Sequence, residues 1–182
     1  VQNESKKVYE ANITVFDALK KSDSDPKGTF SLERFISAHS IMISFEGVPA
    51  IYFNSLFGTS NDKAKYIITG NNRDLNRYRW NHKNITAKLK NTKSKQSIFY
   101  KSITDLLEIR RKQKAFHPNG IRSSINMGKK IFCFKRQSVD KKQFILCITN
   151  LSSKIQITKI NRNFLTWKNL LSSNNNHVSN KM

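Results

Sequence analysis

Gly47-Val48-Pro49-Ala50-Ile51-Tyr52-Phe53 is a short apolar run without polar alternation, the pattern of a strand covered on both faces in a parallel sheet. Pro49 fits only near its start, because proline removes a ladder N–H. Just upstream, Phe35, Ala38 with His39, Met42 and Phe45 recur at three- and four-residue steps. That spacing predicts a helix, capped by Thr29 or Ser31, running to about Glu46 and ended by Gly47. A helix that closes on glycine and passes straight into a doubly buried strand is the αβ half of a βα repeat. The expected class is therefore α/β.

On the far side of this strand, residues 54–95 are polar, rich in Asn and Lys, and only weakly periodic. They read as a long loop, and in a β/α barrel the loops after the strands carry the active site. Before the helix, residues 8–19 mix β-branched and aromatic side chains, and residues 20–28 form a solvated loop by composition. Helical spacing resumes at Ser97, where Ile98, Ile103, Leu106, Leu107 and Ile109 share a face. Phe116-His117-Pro118-Asn119-Gly120 ends that helix. From Ile121 the period becomes that of strands: residues 124–127, 131–136, 143–149 and 155–160 are separated by short turns and predict a small antiparallel unit. If residues 131–136 and 143–149 form one hairpin with facing numbers summing to about 280, Cys133 and Cys147 lie opposite each other on one face.

The chain has 182 residues, enough for one large domain or a domain and part of another. It carries 33 Lys plus Arg against 12 Asp plus Glu, a formal net charge of +21. The charges are spread in pairs, without zinc-finger spacing, an RNA-recognition pattern or a basic heptad. Counts of 24 Lys, 20 Asn and 19 Ile match an A/T-rich coding bias, which explains much of the basicity without a polyanionic partner. Neither nucleic acid nor a membrane is expected as a partner, since no stretch approaches the ~18 consecutive apolar residues of a membrane-spanning helix. The first residues, Val1-Gln2-Asn3-Glu4-Ser5, carry no apolar core of a leader, and a start on Val is expected of a piece of something longer. Two cysteines in apolar runs read as reduced, buried thiols. The four histidines form no ligand spacing, so neither a metal nor a cofactor is expected. His39 is expected to pack and His117 to support a turn.

Specific strings carry more than periodicity does. Tyr9-Glu10-Ala11-Asn12-Ile13 with Phe16-Asp17-Ala18-Leu19 comes first, then Gly47 to Tyr52 continuing to Ser55-Leu56-Phe57-Gly58. Asn72-Arg73-Asp74-Leu75-Asn76-Arg77 and Ala115-Phe116-His117-Pro118-Asn119-Gly120 follow. In order and approximate spacing these strings resemble the sucrose phosphorylase-type branch of glycoside hydrolase family 13, within the α-amylase superfamily. The resemblance implies that residues 1–118 hold the last strand, site loops and closing helix of an incomplete (β/α)8 TIM barrel, and residues 119–182 a C-terminal all-β domain. It implies a retaining, double-displacement transfer of a glucosyl unit from an α-glucoside to inorganic phosphate, in the cytoplasm. The family's Asp nucleophile, Glu acid/base and supporting Asp belong to motifs absent from this chain, so no catalytic residue is expected in it and the chain alone is expected to be inactive. Arg73 matches the arginine that clasps hydroxyls of the bound glucose, and Tyr9 with Glu10 matches an acceptor-side loop. That loop reads Tyr-Gln in typical sucrose phosphorylases, so Glu10 leans toward relatives such as glucosylglycerate phosphorylase. Asn76 and Arg77 are expected to fold the loop.

Two other readings stand beside this one. A non-catalytic module could use the β unit and basic surface to hold a polyanion or carbohydrate, and a family 13 hydrolase would use water in place of phosphate.

Overall fold

Phe16, Phe35 and Phe99 meet in the computed structural model of the chain, which describes residues 10–158 and 167–171. Their ring centroids lie 5.7, 5.5 and 4.6 Å apart in the three pairings, at tilted or edge-on angles. Such pairs add about 0.5–1.5 kcal/mol each beyond the area they bury. Around them pack Ile43 and Ile103, with Leu19, Ile51 and Leu56 partly buried at the margin. This is the core of the first of two compact units, which runs up to Leu107; the second runs from Glu108.

In the first unit, α1 (Val15–Leu19) is capped by Thr14, whose hydroxyl accepts from the Asp17 N–H. Helix α2 (Ser31–Ser44) buries Phe35, His39 and Ile43, one stripe at steps of four. Its start is held differently from the sequence expectation. Neither Thr29 nor Ser31 caps it; the carboxylate of Asp25 accepts the Thr29 and Phe30 N–H groups, each at 2.9 Å, and an Arg34 guanidinium N–H at 2.8 Å. One buried carboxylate thus fixes the backbone that leads into the helix, from outside the usual cap position. The Phe30 N–H, with Arg34 and Thr29 behind it, pulls the Asp25 pKa down to about 2. His39 packs as expected: its Nδ1 donates to the Phe35 carbonyl at 2.9 Å, its ring lies 4.2 Å from that of Phe35, and burial lowers its pKa.

Val48 to Tyr52 forms no ladder with any described residue, and Val48, Tyr52 and Phe53 are 81%, 57% and 55% exposed. The expected strand is not formed here, because a parallel strand exists only through its neighbours. Residues 54–95 also differ from the long loop expected. They hold a 3-10 turn (Phe53–Phe57), α3 (Lys63–Thr69), a second 3-10 turn (Asn72–Leu75) and α4 (His82–Lys90), followed by α5 (Lys95–Lys112). Asp62, Asn71 and Asn81 cap three of these through side-chain oxygens. The Asn-rich composition that reads as loop is the capping chemistry of short helices. Gly58, at φ +54°, closes the first turn directly over Phe99, and a Cβ there would stand 2.1 Å from the ring.

The second unit is a meander of β1 (Ile121–Asn126), β2 (Ile131–Gln137) and β3 (Phe144–Asn150), antiparallel in the order β1-β2-β3. Among the described residues the fold is thus a mixture of helices and one three-stranded antiparallel sheet. Arg136, wholly buried, donates from Nε to the Ala115 carbonyl at 3.2 Å and from Nη2 to the His117 carbonyl at 2.8 Å. It ties the 117–120 turn to β2, and Gly120 fits there because a Cβ would meet the Ala115 and Gln137 carbonyls at 2.8 and 2.9 Å. His117 supports the turn as expected, its Nδ1 accepting from the Asn119 N–H. Ala115, Phe116 and Ile145 form the core of this unit.

Two expectations fail here. Cys133 pairs with Ile148 and Cys147 with Phe134, so facing residues sum to 281 and the two thiols lie on opposite faces. Residues 138–143 form a six-residue connection, closed by the Ser138 N–H donating to the Gln143 carbonyl and by Ser138 Oγ accepting from the Gln143 N–H. An even loop gives odd sums, and a one-residue error in register moves a side chain to the other face. The strand expected at 155–160 is not seen at residues 155–158, where Ile155 and Ile157 are 92% and 97% exposed; residues 159 and 160 lie outside the described residues.

Candidate functional site

Arg73 sits in the 3-10 turn Asn72–Leu75, whose backbone is fixed from three sides. Asn71 Oδ1 accepts the Arg73 N–H at 3.0 Å, the Leu75 carbonyl accepts the Asp62 N–H at 2.7 Å, and Asp74 Oδ1 takes the Lys65 ammonium at 2.6 Å. The Lys65 hydrogen bond, followed by that of Thr69, lowers the Asp74 pKa. A side chain at position 73 is therefore presented by a rigid turn, even though it is itself half exposed.

Glu10 lies 63 residues earlier, and its Oε1 accepts from Arg73 Nε at 3.3 Å. What brings the two segments together is Asn61. Its Oδ1 accepts the Thr14 N–H and its own N–H donates to Asp17 Oδ2, both at 2.8 Å. These two bonds fasten residues 14–17 to the loop that enters α3. The Glu10–Arg73 contact rides on that clamp, because an ion pair whose side chains are 39% and 52% exposed contributes only about 0–1 kcal/mol by itself. The contact uses one N–H of the guanidinium, which carries four more.

Tyr9, the third expected site residue, lies outside the described residues. Among the described residues no group of three or more His, Cys, Asp or Glu side chains could hold a metal ion, and no helix is long and apolar enough to cross a membrane.

The same unit holds a cavity of about 70 Å³ between residues 13–16, Tyr52, Asn54, Ser55, Thr59 and Asn76, lined by neither Glu10 nor Arg73. Asn54 donates from Nδ2 to the Tyr78 carbonyl at 3.0 Å, and Thr59 Oγ1 accepts from Trp80 Nε1 at 3.0 Å, so residues 78–80 hold this wall in place. Asn54 and Asn61 were not singled out by the sequence. Their partners are 24 to 47 residues away, and the one local signal is that Asn54 stands within the first 3-10 turn and Asn61 just before the cap of α3.

No family model matches the chain. It is 31% identical over 144 residues to glucosylglycerate phosphorylase of Spirochaeta thermophila, a match covering 79% of this chain and 24% of that protein. With glucosylglycerate phosphorylase of Escherichia coli the identity is 34% over 155 residues, 84% of this chain and 27% of the relative. Sucrose phosphorylase of Agrobacterium vitis is 29% identical over 110 residues, 60% of this chain and 20% of the relative. The similarity to sucrose phosphorylase-type enzymes that the motifs carry thus extends over most of the chain, while the chain spans about a quarter of the curated relatives it matches.

Proposed function

We propose that this chain forms the glucosyl-site loops and C-terminal β domain of an α-glucosyl phosphorylase that takes glucosylglycerate, or a near relative such as sucrose, and passes the glucosyl unit to inorganic phosphate. The observation that carries the reading is the meeting of Arg73 and Glu10 across 63 residues, in a chain whose relatives are phosphorylases of those two substrates. An arginine fork on a rigid turn suits recognition of sugar hydroxyls, and an adjacent carboxylate on a separate segment suits the acceptor side. Tyr9 would stand next to it.

In the full enzyme, residues 1–118 would complete a (β/α)8 barrel, with residues 48–53 as its last strand. The exposed, unladdered apolar side chains of Val48, Tyr52 and Phe53 support that reading, since neighbouring strands would cover them. The nucleophilic and acid/base carboxylates of the double displacement would come from sequence outside this chain, and the enzyme would work in the cytoplasm. A hydrolase of the same family would share the glucose-clasping arginine, so the acceptor decides between the two.

The test is made on the protein that carries this chain. It should release glucose 1-phosphate from glucosylglycerate in a phosphate-dependent manner, faster than from sucrose. Paired, charge-assisted bonds to hydroxyls are worth roughly 1.5–3 kcal/mol each, and a lysine cannot reproduce the fork. Arg73→Lys should therefore lower kcat/KM about 10- to 100-fold. Unchanged transfer in that variant, or glucose release that ignores phosphate, would overturn the proposal.

A further inference from the structure

Helix α3 buries no residue, and its Ile67 and Ile68 are 79% and 84% exposed. It adds no side chain to the aromatic core, and so short a helix does not hold together in water by propensity alone. Among the described residues, what holds it is the turn that follows. Its cap residue Asp62 donates its N–H to the Leu75 carbonyl at 2.7 Å, Asn71 donates its N–H to Thr69 Oγ1 at 3.3 Å, and the Lys65 ammonium reaches Asp74 Oδ1 at 2.6 Å.

Lys65 and Thr69 stand four residues apart and so share one face of the helix, and both act on Asp74, whose pKa they lower, Lys65 the more. The Lys65–Asp74 pair is 32% and 20% exposed, whereas the pairs along α5 and that of Arg73 with Glu10 have both partners at 39% or more. It is accordingly the less screened contact. A helix that gives nothing to the core and is tied at three points to one short turn serves that turn. Asp74 is the residue after Arg73, so whatever fixes Asp74 also fixes the direction from which the guanidinium is presented. Displacing such a group by about 1 Å can cost about 100-fold in rate.

We propose that α3 is a brace for the turn that carries Arg73, and that Lys65 is a positioning residue for Arg73, acting through Asp74 without touching substrate. The kinetic consequence rests on the glucosyl-transfer reading; the mechanical one does not.

The experiment measures phosphate-dependent glucosyl transfer from glucosylglycerate, and amide hydrogen exchange, on the protein carrying this chain. Lys65→Met, which keeps length and removes charge, should lower kcat/KM about 5- to 10-fold, and Lys65→Arg should restore it to within about twofold. In an Arg73→Lys background, Lys65→Met should change kcat/KM by less than about twofold, because the guanidinium it positions is already gone. Ile67→Lys, on the exposed part of the same helix, should stay within about twofold of the unsubstituted protein. Should Lys65→Met fail to fold by circular dichroism, Thr69→Val, which removes the hydroxyl beside Asp74, should lower kcat/KM about threefold. Effects of Lys65→Met and Arg73→Lys that simply multiply would overturn the positioning role, as would full activity in Lys65→Met, a loss that Lys65→Arg does not rescue, or an equal loss in Ile67→Lys. Exchange judges the brace without reference to the reaction. In Lys65→Met the amides of residues 71–76 should exchange at least 10-fold faster while those around Phe99 hold, and unchanged protection at 71–76 would overturn the brace. If Arg73→Lys spares transfer, the functional reading falls and the exchange result alone decides.

Discussion

The two units hold their polar groups in different ways. From Glu108 onward, order comes from a regular ladder of three strands, and the irregular 115–120 segment is secured by one wholly buried guanidinium that bonds two of its carbonyls. Before Leu107, α1, α3 and α4 are short, no sheet forms among the described residues, and single side chains close single gaps: Asp25 at the start of α2, Asn61 between two segments, Asp62, Asn71 and Asn81 at caps. What unites that unit is the aromatic triad beneath them. A laddered unit tolerates substitution of most polar residues; a unit built from separate side-chain ties loses a specific piece of geometry with each one. That is where a site made of precisely placed loops is expected.

The largest test of this contrast is Phe99→Ala. Phe99 is wholly buried and touches both other rings of the triad, and large-to-small changes at such positions cost about 3–5 kcal/mol. Hydrogen exchange should speed up through α2 and α5 together; loss confined to α5 would mean that the triad does not integrate the unit. In the other unit, Arg136→Leu leaves the buried Ala115 carbonyl without its guanidinium donor, at roughly 1–3 kcal/mol, while the His117 carbonyl keeps the Gly120 N–H. The β2 amides and those at 115–120 should lose protection. Protection that survives there would show the ladder to be sufficient without the guanidinium.

Asp25→Asn should act through pH. The folded state holds the carboxyl near pKa 2 against an ordinary 3.8, so the unfolded chain binds the extra proton between those values. Its contribution is present above about pH 4 and is lost as pH falls toward 2. Asp25→Asn should therefore melt below the unsubstituted protein at pH 7, with the gap closing by pH 2. A gap that stays constant over that range would show that the carboxylate's charge does not stabilise α2.

Period-two patterning made the meander legible from sequence, because each strand carries its own alternation. Register was not, since whether six or five residues connect β2 and β3 depends on Ser138 bonding across the turn to Gln143. The α2 stripe was legible at Phe35 and His39, while its cap lay at Asp25, beyond the residues where caps are sought. The apolar 48–53 run carries every mark of a buried strand, yet it forms no ladder with any described residue. For the site, Arg73 and Glu10 were named from quoted motifs. Asn61 and Asn54, which act on backbone groups 24 to 47 residues away, have no local pattern to betray them.

The smallest expected effect concerns Glu10→Gln, and it separates positioning from recognition. The pair is exposed and joined through one 3.3 Å contact, so the neutral amide should change stability by under about 1 kcal/mol. If Glu10 serves mainly to hold the Arg73 side chain, Glu10→Gln and Arg73→Lys should impair the same step, including hydrolysis of an activated glucoside that needs only the glucose subsite. If the 3-10 turn already fixes Arg73 through Asn71, Asp74 and Leu75, hydrolysis should be nearly untouched and the change should fall on which acceptor is preferred. The three backbone and side-chain ties on that turn favour the second outcome. The ratio of glucosyl transfer to glycerate over fructose should then shift several-fold in Glu10→Gln at constant hydrolysis. A matching fall in both activities would instead make the Asn61-clamped segment, and not the turn, the element that places the arginine.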